Sequence, residues 1–231
     1  ERGPFAAGTS QRTEAEVIDP YMAYITKQIR LRRPLRVVVD AGNGTSGLII
    51  QDLLRRLGCE VYELFCEVDG TFPNHHPDPT VPENLTDIIR EVRARQADVG
   101  LAYDGDSDRL GVIDEKGEII WGDRLLALYA REILSRQPGA KVIFDVKCSQ
   151  VLGDDIRQHG GKPIMWMTGH SLIKKKLYEE QAVLAGEMSG HLFFADGYFG
   201  YDDALYASCR LLQILDRANV PLSTLLADLP V

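Results

Sequence analysis

Residues 104–109 read Asp-Gly-Asp-Ser-Asp-Arg, and this hexapeptide holds the side chains best suited to chemistry in the chain. If the segment turns, the carboxylates of Asp104, Asp106 and Asp108 lie close together, where like charges repel unless a cation sits among them. Carboxylate oxygens are the ligands that Mg²⁺ prefers, and Arg109 adds a planar donor fork suited to a phosphate. The spacing therefore predicts a metal site that handles phosphate groups. The alternative is a solvated acidic turn, because Asp, Gly and Ser are common loop residues.

The segments on either side of the acidic loop favour a strand end over a calcium-binding loop. Apolar runs over 97–103 and 110–113 predict two strands, and α/β proteins bind ligands at such strand ends. The three aspartates together with Glu115 also match four ligand positions of an EF-hand loop. That loop requires glycine at its sixth position, which Arg109 occupies here, and helices should flank it. The pattern therefore argues against a calcium sensor.

Composition limits the classes of function. The chain has 231 residues, of which 45% are hydrophobic and 26% charged, as in an ordinary globular protein. The net charge of -8 argues against a nucleic-acid partner. No apolar run approaches the roughly 18 residues of a membrane span and no signal peptide is visible, so we expect no membrane partner and a cytoplasmic location. The chain begins with Glu1, so we expect it to be a piece of a longer protein.

The cysteines give no sign of a disulfide framework or a zinc site. Cys59, Cys66, Cys148 and Cys209 are scattered along the chain without CxxC spacing. In a chain of this size such cysteines are typical of reduced thiols. We therefore expect four free thiols.

Helix and strand patterns alternate along the chain, which predicts an α/β fold of two consecutive α/β/α domains with mixed, largely parallel sheets. Asp19 followed by Pro20 predicts the cap and first residue of a helix that runs to about residue 32. Further helices are expected over 45–57 and, at the end, over 202–218. We divide the chain into a lead-in (1–13), a domain with the acidic loop (14–120) and a second domain (121–231).

A glycine-rich segment follows the strand predicted over 36–40. Gly42, Gly44 and Gly47 form the pattern G-x-G-x-x-G before a helix, and Glu63 lies 21 residues beyond Gly42, where a ribose-binding acid is expected in a dinucleotide site. An NAD-dependent oxidoreductase therefore stays open as an alternative. Nothing nearby points to hydride chemistry, so we favour glycines that permit a tight turn and close packing of the helix on the sheet.

A third group of polar residues follows strands in the second half. Residues 186–191 read Gly-Glu-Met-Ser-Gly-His, where Glu187 and Ser189 have the groups to accept and donate hydrogen bonds to adjacent sugar hydroxyls. His191 can carry a proton or contact a phosphate. Lys147 and His170 also follow predicted strands, and the strand ends of one parallel sheet share an edge. These side chains are therefore expected to converge, although each alone has an ordinary structural explanation.

The chain is similar to the α-D-phosphohexomutase family, most of all to its bacterial phosphomannomutase/phosphoglucomutase group. The resemblance covers most of the chain but only the second and third of the four domains of that family. It rests on segments in the family's order: a proline-rich loop (72–79), a metal loop (104–109), Asp-Val-Lys-Cys (145–148) with Thr-Gly-His-Ser-Leu-Ile-Lys-Lys-Lys (168–176), and a sugar-recognition loop (186–191), which we call the sugar loop.

The resemblance implies a role for each candidate site residue. Three aspartates bind Mg²⁺: Asp104, Asp106 and Asp108. Arg109 steadies a phosphate beside the metal ion, and Arg109, Lys147 and His191 are the implied catalytic residues. The implied substrate-binding residues are Lys147, His170, Glu187, Ser189 and His191. The adjacent His75 and His76 of the proline-rich loop make a poor chelate, so we interpret them as loop structure.

Two departures from the family pattern matter. Ser107 stands where the metal loop usually has glycine, so a left-handed backbone there would cost about 1 kcal/mol. The segments that carry the family's phosphoserine and its C-terminal phosphate-binding loop have no match in this chain. The family mechanism interconverts hexose 1-phosphate and hexose 6-phosphate, of mannose or glucose, through that phosphoserine and a bisphosphate. We therefore expect partner domains from the same polypeptide, and little or no turnover by this chain alone.

Other functions stay open beside this one. One is a module that binds sugar phosphates without catalysis. Another is the NAD-dependent oxidoreductase, and a third is a metal-dependent phosphatase in which Asp104 forms an aspartyl-phosphate.

Overall fold

The computed structural model describes Gly8 and residues 12–229, so most of the predicted lead-in lies outside the described residues. The α-helices span Ile18–Gln28 (α1), Ile50–Arg56 (α2), Thr86–Arg95 (α3), Gly122–Arg136 (α4), Gln150–Gln158 (α5), His170–Glu180 (α6), Ala204–Ala218 (α7) and Leu222–Leu225 (α8). The strands span Arg36–Asp40 (β1), Glu60–Leu64 (β2), Val99–Tyr103 (β3), Leu110–Asp114 (β4), Ile119–Ile120 (β5), Lys141–Asp145 (β6), Lys162–Trp166 (β7), Leu184–Gly186 (β8) and Leu192–Phe194 (β9). No helix in this described part is long and apolar enough to cross a membrane.

The strands form two sheets with equivalent topology. The first sheet has the order β2-β1-β3-β4-β5, with β2, β1 and β3 parallel and β4 and β5 antiparallel to their neighbours. The second has the order β7-β6-β8-β9, with only β9 antiparallel. The β3–β4 turn of one sheet therefore corresponds to the β8–β9 turn of the other. The acidic loop and the sugar loop occupy these two equivalent turns.

Helices cover both faces of each sheet. α3 packs through Ile88 and Val92 on one face of the first sheet, and α6 packs through Ile173 and Leu177 on one face of the second. The opposite faces of the two sheets share one continuous core with α1, α2, α4, α5 and α7. This arrangement confirms the predicted fold class of two α/β/α domains with mixed sheets.

The predicted start of α1 is wrong. The helix begins at Ile18, because Glu16 Oε1 accepts the N–H groups of Ile18 at 2.9 Å and Asp19 at 3.4 Å and so takes the capping role assigned to Asp19. The helix also ends four residues earlier than expected. Arg32 lies beyond it and donates from its backbone N–H and its Nε to Asp216 of α7. Tertiary hydrogen bonds thus override the local capping pattern.

Two further segments differ from the sequence-based expectation. The helix predicted over 45–57 is interrupted, with a 3₁₀ turn over Thr45–Leu48 before α2. Gly47 packs so closely there that a Cβ atom would lie 2.2 Å from the carbonyl oxygen of Cys66. The strand β9 was not expected, because its three residues are all buried and show no alternation of polar and apolar side chains.

The four cysteines are free thiols within the fold. Burial raises the pKa of Cys59 and of Cys66 to about 12, and it raises that of Cys209 as well. These thiols therefore stay protonated at neutral pH and behave as packed apolar side chains.

Asp203 holds the start of α7 against α1, and its removal should destabilise the whole chain. Its carboxylate accepts the hydroxyls of Tyr21 at 2.9 Å and Tyr198 at 2.6 Å and the N–H of Tyr206 at 2.9 Å. We predict that Asp203→Ala lowers the free energy of unfolding by about 2–4 kcal/mol, because these partners lose their acceptor. Because the two domains share a core, urea unfolding should remain a single transition.

The matched control is Glu179→Ala. Glu179 is exposed, and its Oε1 lies 3.7 Å from Lys175 Nζ, which makes a weak surface ion pair. Its loss should therefore change the free energy of unfolding by less than about 0.5 kcal/mol. Equal effects of the two substitutions, or two separate unfolding transitions, would contradict this account of the core.

Candidate functional site

The acidic loop turns sharply between β3 and β4 and gathers its three carboxylates. Asp104, Asp106 and Asp108 each offer one oxygen, and these atoms lie within 4.8 Å of one another. Asp104 is only 2% exposed, and its Oδ1 accepts the N–H groups of Asp108 and Arg109, both at 3.0 Å. Ser107 has φ +70°, which is in the left-handed region that favours glycine. The loop thus has the all-oxygen donor set that suits a hard divalent cation.

Arg109 holds two carboxylates in place. Its Nε donates to Asp104 Oδ2 at 2.8 Å, and its Nη1 donates to Asp78 Oδ1 at 3.0 Å. Burial raises the pKa of Asp104, although the hydrogen bonds from Arg109 oppose that change. Nη2 of Arg109 makes no hydrogen bond to the residues that the structure describes, so part of the guanidinium remains for a phosphate. Sequence reasoning missed Asp78, which lies in the proline-rich segment.

The glycine-rich segment packs directly on the acidic loop. A Cβ atom on Gly44 would lie 2.8 Å from the carbonyl oxygen of Gly105, to which the N–H of Thr45 donates at 3.0 Å. The hydroxyls of Thr45 and Ser107 are 2.9 Å apart. Glu63, the candidate ribose acid, pairs with an arginine of α2. The glycines therefore serve close packing, as favoured above, and the dinucleotide interpretation loses its local support.

His75 ties the proline-rich segment to the end of β1. Its Nε2 lies 3.1 Å from Asp40 Oδ2, and its Nδ1 lies 2.9 Å from the carbonyl oxygen of His76. The hydrogen bond to Asp40 raises the pKa of His75. Asn74 Nδ2 also donates to Asn43 Oδ1 at 2.8 Å. His75 thus has the structural role expected for it.

The sugar loop of the second domain meets the acidic loop of the first. The N–H of Leu110 donates to the carbonyl oxygen of Gly190 at 3.1 Å, and Arg109 and His191 form an antiparallel bridge. A Cβ atom on Gly190, which has φ +97°, would lie 2.7 Å from the carbonyl oxygen of Leu110. His191 Nε2 lies 3.1 Å from Asp108 Oδ1. The two loops that the sequence singled out are therefore in direct contact.

His191 is held as a cation between two carboxylates. Burial opposes its charge, but hydrogen bonds to Asp108 and Glu187 outweigh that effect and raise its pKa to about 9. Its Nδ1 lies 3.0 Å from Glu187 Oε2 and 2.9 Å from the hydroxyl of Ser189. The hydrogen bond from His191 also lowers the pKa of Asp108. An imidazolium at this position can donate a proton or a hydrogen bond to an anionic oxygen.

Glu187 is more enclosed than a hydroxyl-binding residue was expected to be. It is 2% exposed, and its Oε1 accepts the N–H of Gly169 at 2.6 Å while Oε2 faces His191. In this arrangement it orients the imidazole and the turn before α6. Ser189 is partly exposed at the same loop.

His170 joins the site, whereas Lys147 does not contact it. The rings of His170 and His191 stack with centroids 5.6 Å apart. His170 Nδ1 lies 3.2 Å from Asp202 Oδ2, and Lys174 Nζ lies 2.8 Å from Asp202 Oδ1. Lys147 is exposed and makes no hydrogen bond or ion pair with any residue in the described ranges, although it follows β6 at the same edge of the sheet.

Sequence reasoning did not assign Asp202. Ligand atoms of Asp202, Asp108 and His191 also lie within 4.8 Å of one another. Cationic or protonatable partners already surround this carboxylate, which favours a role in holding His170 and Lys174. The sequence feature that could have pointed to Asp202 is the adjacent pair Asp202-Asp203 directly before α7.

A groove of about 410 Å³ opens beside the acidic loop. Its lining combines acidic residues with apolar ones, namely Asp106, Asp108, Asp202 and Asp203 with Ile18, Leu48, Ile49 and Leu205. The exposed Asp106 therefore faces open space, as a metal ligand shared with a substrate must.

Comparison with known proteins places the chain in one family. The family profile for phosphoglucomutase/phosphomannomutase alpha/beta/alpha domain II matches residues 19–117, and the profile for domain III matches residues 121–231. These matches place the chain in the α-D-phosphohexomutase family. The chain belongs to the phosphoglucomutase/phosphomannomutase family, of which it contains domains II and III.

Individual relatives agree with this assignment. A phosphomannomutase/phosphoglucomutase of Pseudomonas putida is 52% identical over 217 residues, which cover 94% of this chain and 47% of the relative. A phosphoglucomutase of Neisseria meningitidis serogroup A is 50% identical over 232 residues, which cover 100% of this chain and 50% of the relative. The crystal structure of a phosphoglucomutase/phosphomannomutase family protein of Burkholderia thailandensis matches with a TM-score of 0.90 and 55% sequence identity. The match covers 94% of this chain and 47% of that one. The chain spans about half the length of the curated relatives it matches.

The His75–Asp40 pair should make stability depend on pH. Because the folded pKa of His75 is raised, its contribution is fully present below about pH 6.5 and is lost as the pH rises through the folded pKa. We predict that His75→Gln destabilises the chain by about 1–2 kcal/mol at about pH 6 and by less at about pH 9. Urea unfolding at both pH values measures the difference. An equal loss for His75→Gln at both pH values would contradict the charged pair.

Proposed function

We propose that this chain is the metal- and sugar-binding part of a phosphohexomutase that interconverts hexose 1-phosphate and hexose 6-phosphate, with mannose or glucose as the sugar. Membership of the family supports the reaction class. The observation that carries the proposal is the contact between the acidic loop and the sugar loop, in which His191 Nε2 lies 3.1 Å from Asp108 Oδ1. A phosphate held at the metal loop would therefore lie beside the groups that recognise the sugar.

We assign the metal site to Asp104, Asp106 and Asp108, with Mg²⁺ as the ion. Their close oxygen atoms and the excess of carboxylates over cations at the junction support this choice. When bound, Mg²⁺ supplies charge neutralisation for a phosphoryl group in transfer. Arg109 opposes the rise in the pKa of Asp104 through its Nε and offers Nη2 to a phosphate oxygen.

We assign substrate contacts to the other loops. Ser189 and His191 lie on the sugar loop, His170 stacks on His191, and Lys147 is free to reach a phosphate from the neighbouring loop. The raised pKa of His191 makes it a proton donor at neutral pH, so we assign it to an anionic oxygen of the substrate. Glu187 accepts sugar hydroxyls only with the lone pairs that Gly169 and His191 leave unused.

The rest of the reaction is proposed to come from outside residues 1–231. The phosphoserine that donates the phosphoryl group and the loop that binds the distal phosphate belong to the other domains of a longer polypeptide, and a hexose bisphosphate links the two transfers. Within the chain we propose a division into 14–120 and 121–231, close to the ranges that the two family profiles match. A cytoplasmic location fits the four free thiols.

A phosphatase with an aspartyl-phosphate fits the site less well. Both oxygens of Asp104 are engaged by the backbone and by Arg109, and the residue is 2% exposed. A nucleophilic carboxylate needs a free oxygen aimed at its substrate. Asp104 is therefore better placed as a metal ligand.

Divalent metal binding should depend on Asp106. We predict that Asp106→Asn weakens Mn²⁺ binding, measured by electron paramagnetic resonance as a stand-in for Mg²⁺, by about tenfold or more, because one anionic ligand of a hard cation is lost. Asp106 is exposed and makes no hydrogen bond among the described residues, so stability should be unchanged. Asp52→Asn on the exposed face of α2 is the control. Equal Mn²⁺ affinity in the two variants would exclude this metal site.

Sugar phosphate should bind only when both loops are intact. We predict that the purified chain binds glucose 1-phosphate more tightly with Mg²⁺ than without it, as measured by ³¹P NMR, and that Ser189→Ala weakens this binding by about fivefold through one lost hydrogen bond. The same samples should show no conversion to glucose 6-phosphate. Absence of Mg²⁺-dependent binding would overturn the proposed function of this chain. Rapid conversion would overturn the proposal that the phosphoserine lies outside residues 1–231.

A further inference from the structure

Asp145 is a fully enclosed carboxylate that the proposed chemistry does not use. It ends the interior strand β6 and is 0% exposed. Its Oδ2 accepts the hydroxyl of Thr168 at 2.9 Å, and its Oδ1 accepts the N–H of Met188 at 3.2 Å and the thiol of Cys148 at 3.1 Å. Burial raises the pKa of Cys148, which keeps that thiol protonated as a donor. A carboxylate so deeply buried is costly unless several donors satisfy it.

The three donors lie on the three loops that carry the substrate-binding candidates. Cys148 follows Lys147 directly, and Thr168 comes two residues before His170. Met188 lies between Glu187 and Ser189 on the sugar loop. One side chain therefore joins the ends of β6, β7 and β8 at a single point.

We propose that Asp145 is the positioning residue of the sugar-binding half-site, and that its three hydrogen bonds set the distances among the loops that carry Lys147, His170 and the 187–191 segment. The inference rests on the proposed function for its consequence, which is affinity for a hexose phosphate. Asp145 does not touch the substrate. It acts through the loop backbones, because a loop shift of one ångström is enough to spoil a set of hydrogen bonds.

The first domain has a similar buried aspartate at the equivalent strand end. β1 lies second in its sheet, as β6 does in the second, each between two parallel neighbours, and β1 ends in the buried Asp40. Asp40 Oδ1 accepts the N–H of Gly42 at 2.9 Å, and Oδ2 lies 3.1 Å from His75 Nε2. Asp40 thus joins the glycine-rich turn, on which the acidic loop packs, to the proline-rich segment. In each sheet the last residue of this second strand thus holds the neighbouring loops.

Asparagine and leucine at position 145 separate positioning from charge. The Oδ1 of an asparagine can accept from Met188 and Cys148, and its amide can donate to the Thr168 hydroxyl, so Asp145→Asn keeps all three contacts without the charge. Asp145→Leu has a similar shape and keeps none of them. Thr168→Val removes one contact at a partly exposed site and so guards against a simple failure to fold. Thr86→Val, on the exposed start of α3, is the matched control.

The test compares these variants by two measurements made on the whole chain. The first is the nuclear Overhauser effect between the rings of His170 and His191, whose centroids are 5.6 Å apart. The second is the affinity for glucose 1-phosphate with Mg²⁺, with the melting temperature recorded for every variant. We expect Thr168→Val to weaken binding by about five- to tenfold and Asp145→Leu by more, with a reduced ring contact in both. Asp145→Asn and Thr86→Val should resemble the unaltered chain.

Two results would overturn the positioning role. One is an unchanged ring contact and affinity in both Thr168→Val and Asp145→Leu. The other is a loss in Asp145→Asn as large as that in Asp145→Leu, which would assign the effect to charge. If the unaltered chain does not bind glucose 1-phosphate at all, the proposed function fails, and the histidine ring contact alone still decides the role of Asp145.

Discussion

The contact between two turns, one from each sheet, is the constraint on which the rest of the structure depends. The acidic loop concentrates carboxylates that repel one another, and the sugar loop brings the His191 imidazolium to Asp108 at 3.1 Å. The hydrogen bond from the Leu110 N–H to the carbonyl oxygen of Gly190 fixes the turns side by side, and only glycine fits at position 190. The loops proposed to bind the metal ion and the sugar are therefore held next to each other.

The shared core explains how two domains keep loops in register at hydrogen-bond distance. The inner faces of both sheets pack on the same set of helices, so neither sheet can rotate without opening apolar surface to water. Helix α7 also makes polar contacts with the first domain. The hydroxyls of Tyr103 and Ser208 form a hydrogen bond of 2.7 Å, and Asp216 forms an ion pair with Arg32. The site is thus a product of the whole interior and not of its loops alone.

Sequence reasoning predicted what local chemistry determines. The acidic spacing and the strand ends follow from residue type and period, and the structure brings the three carboxylates together at such an end. The left-handed Ser107 was raised only by comparison with the family's usual glycine. Sequence reasoning could not predict which partner each polar group finds. Asp145, Asp78 and Asp202 look like ordinary acids in the sequence, and the start of α1 followed Glu16 instead of Asp19. Lys147 shows the reverse limit, because a shared sheet edge does not bring every residue on it into contact.

Amide hydrogen exchange at Leu110 tests the loop-to-loop contact most directly. The Leu110 N–H donates across the junction, to the carbonyl oxygen of Gly190 of the second domain, at 3.1 Å. The account predicts that this amide exchanges as slowly as that of Val112, in the interior of the same strand, because only unfolding of the shared core would free it. A Leu110 amide that exchanges at the rate of an exposed loop, while Val112 stays protected, would contradict it.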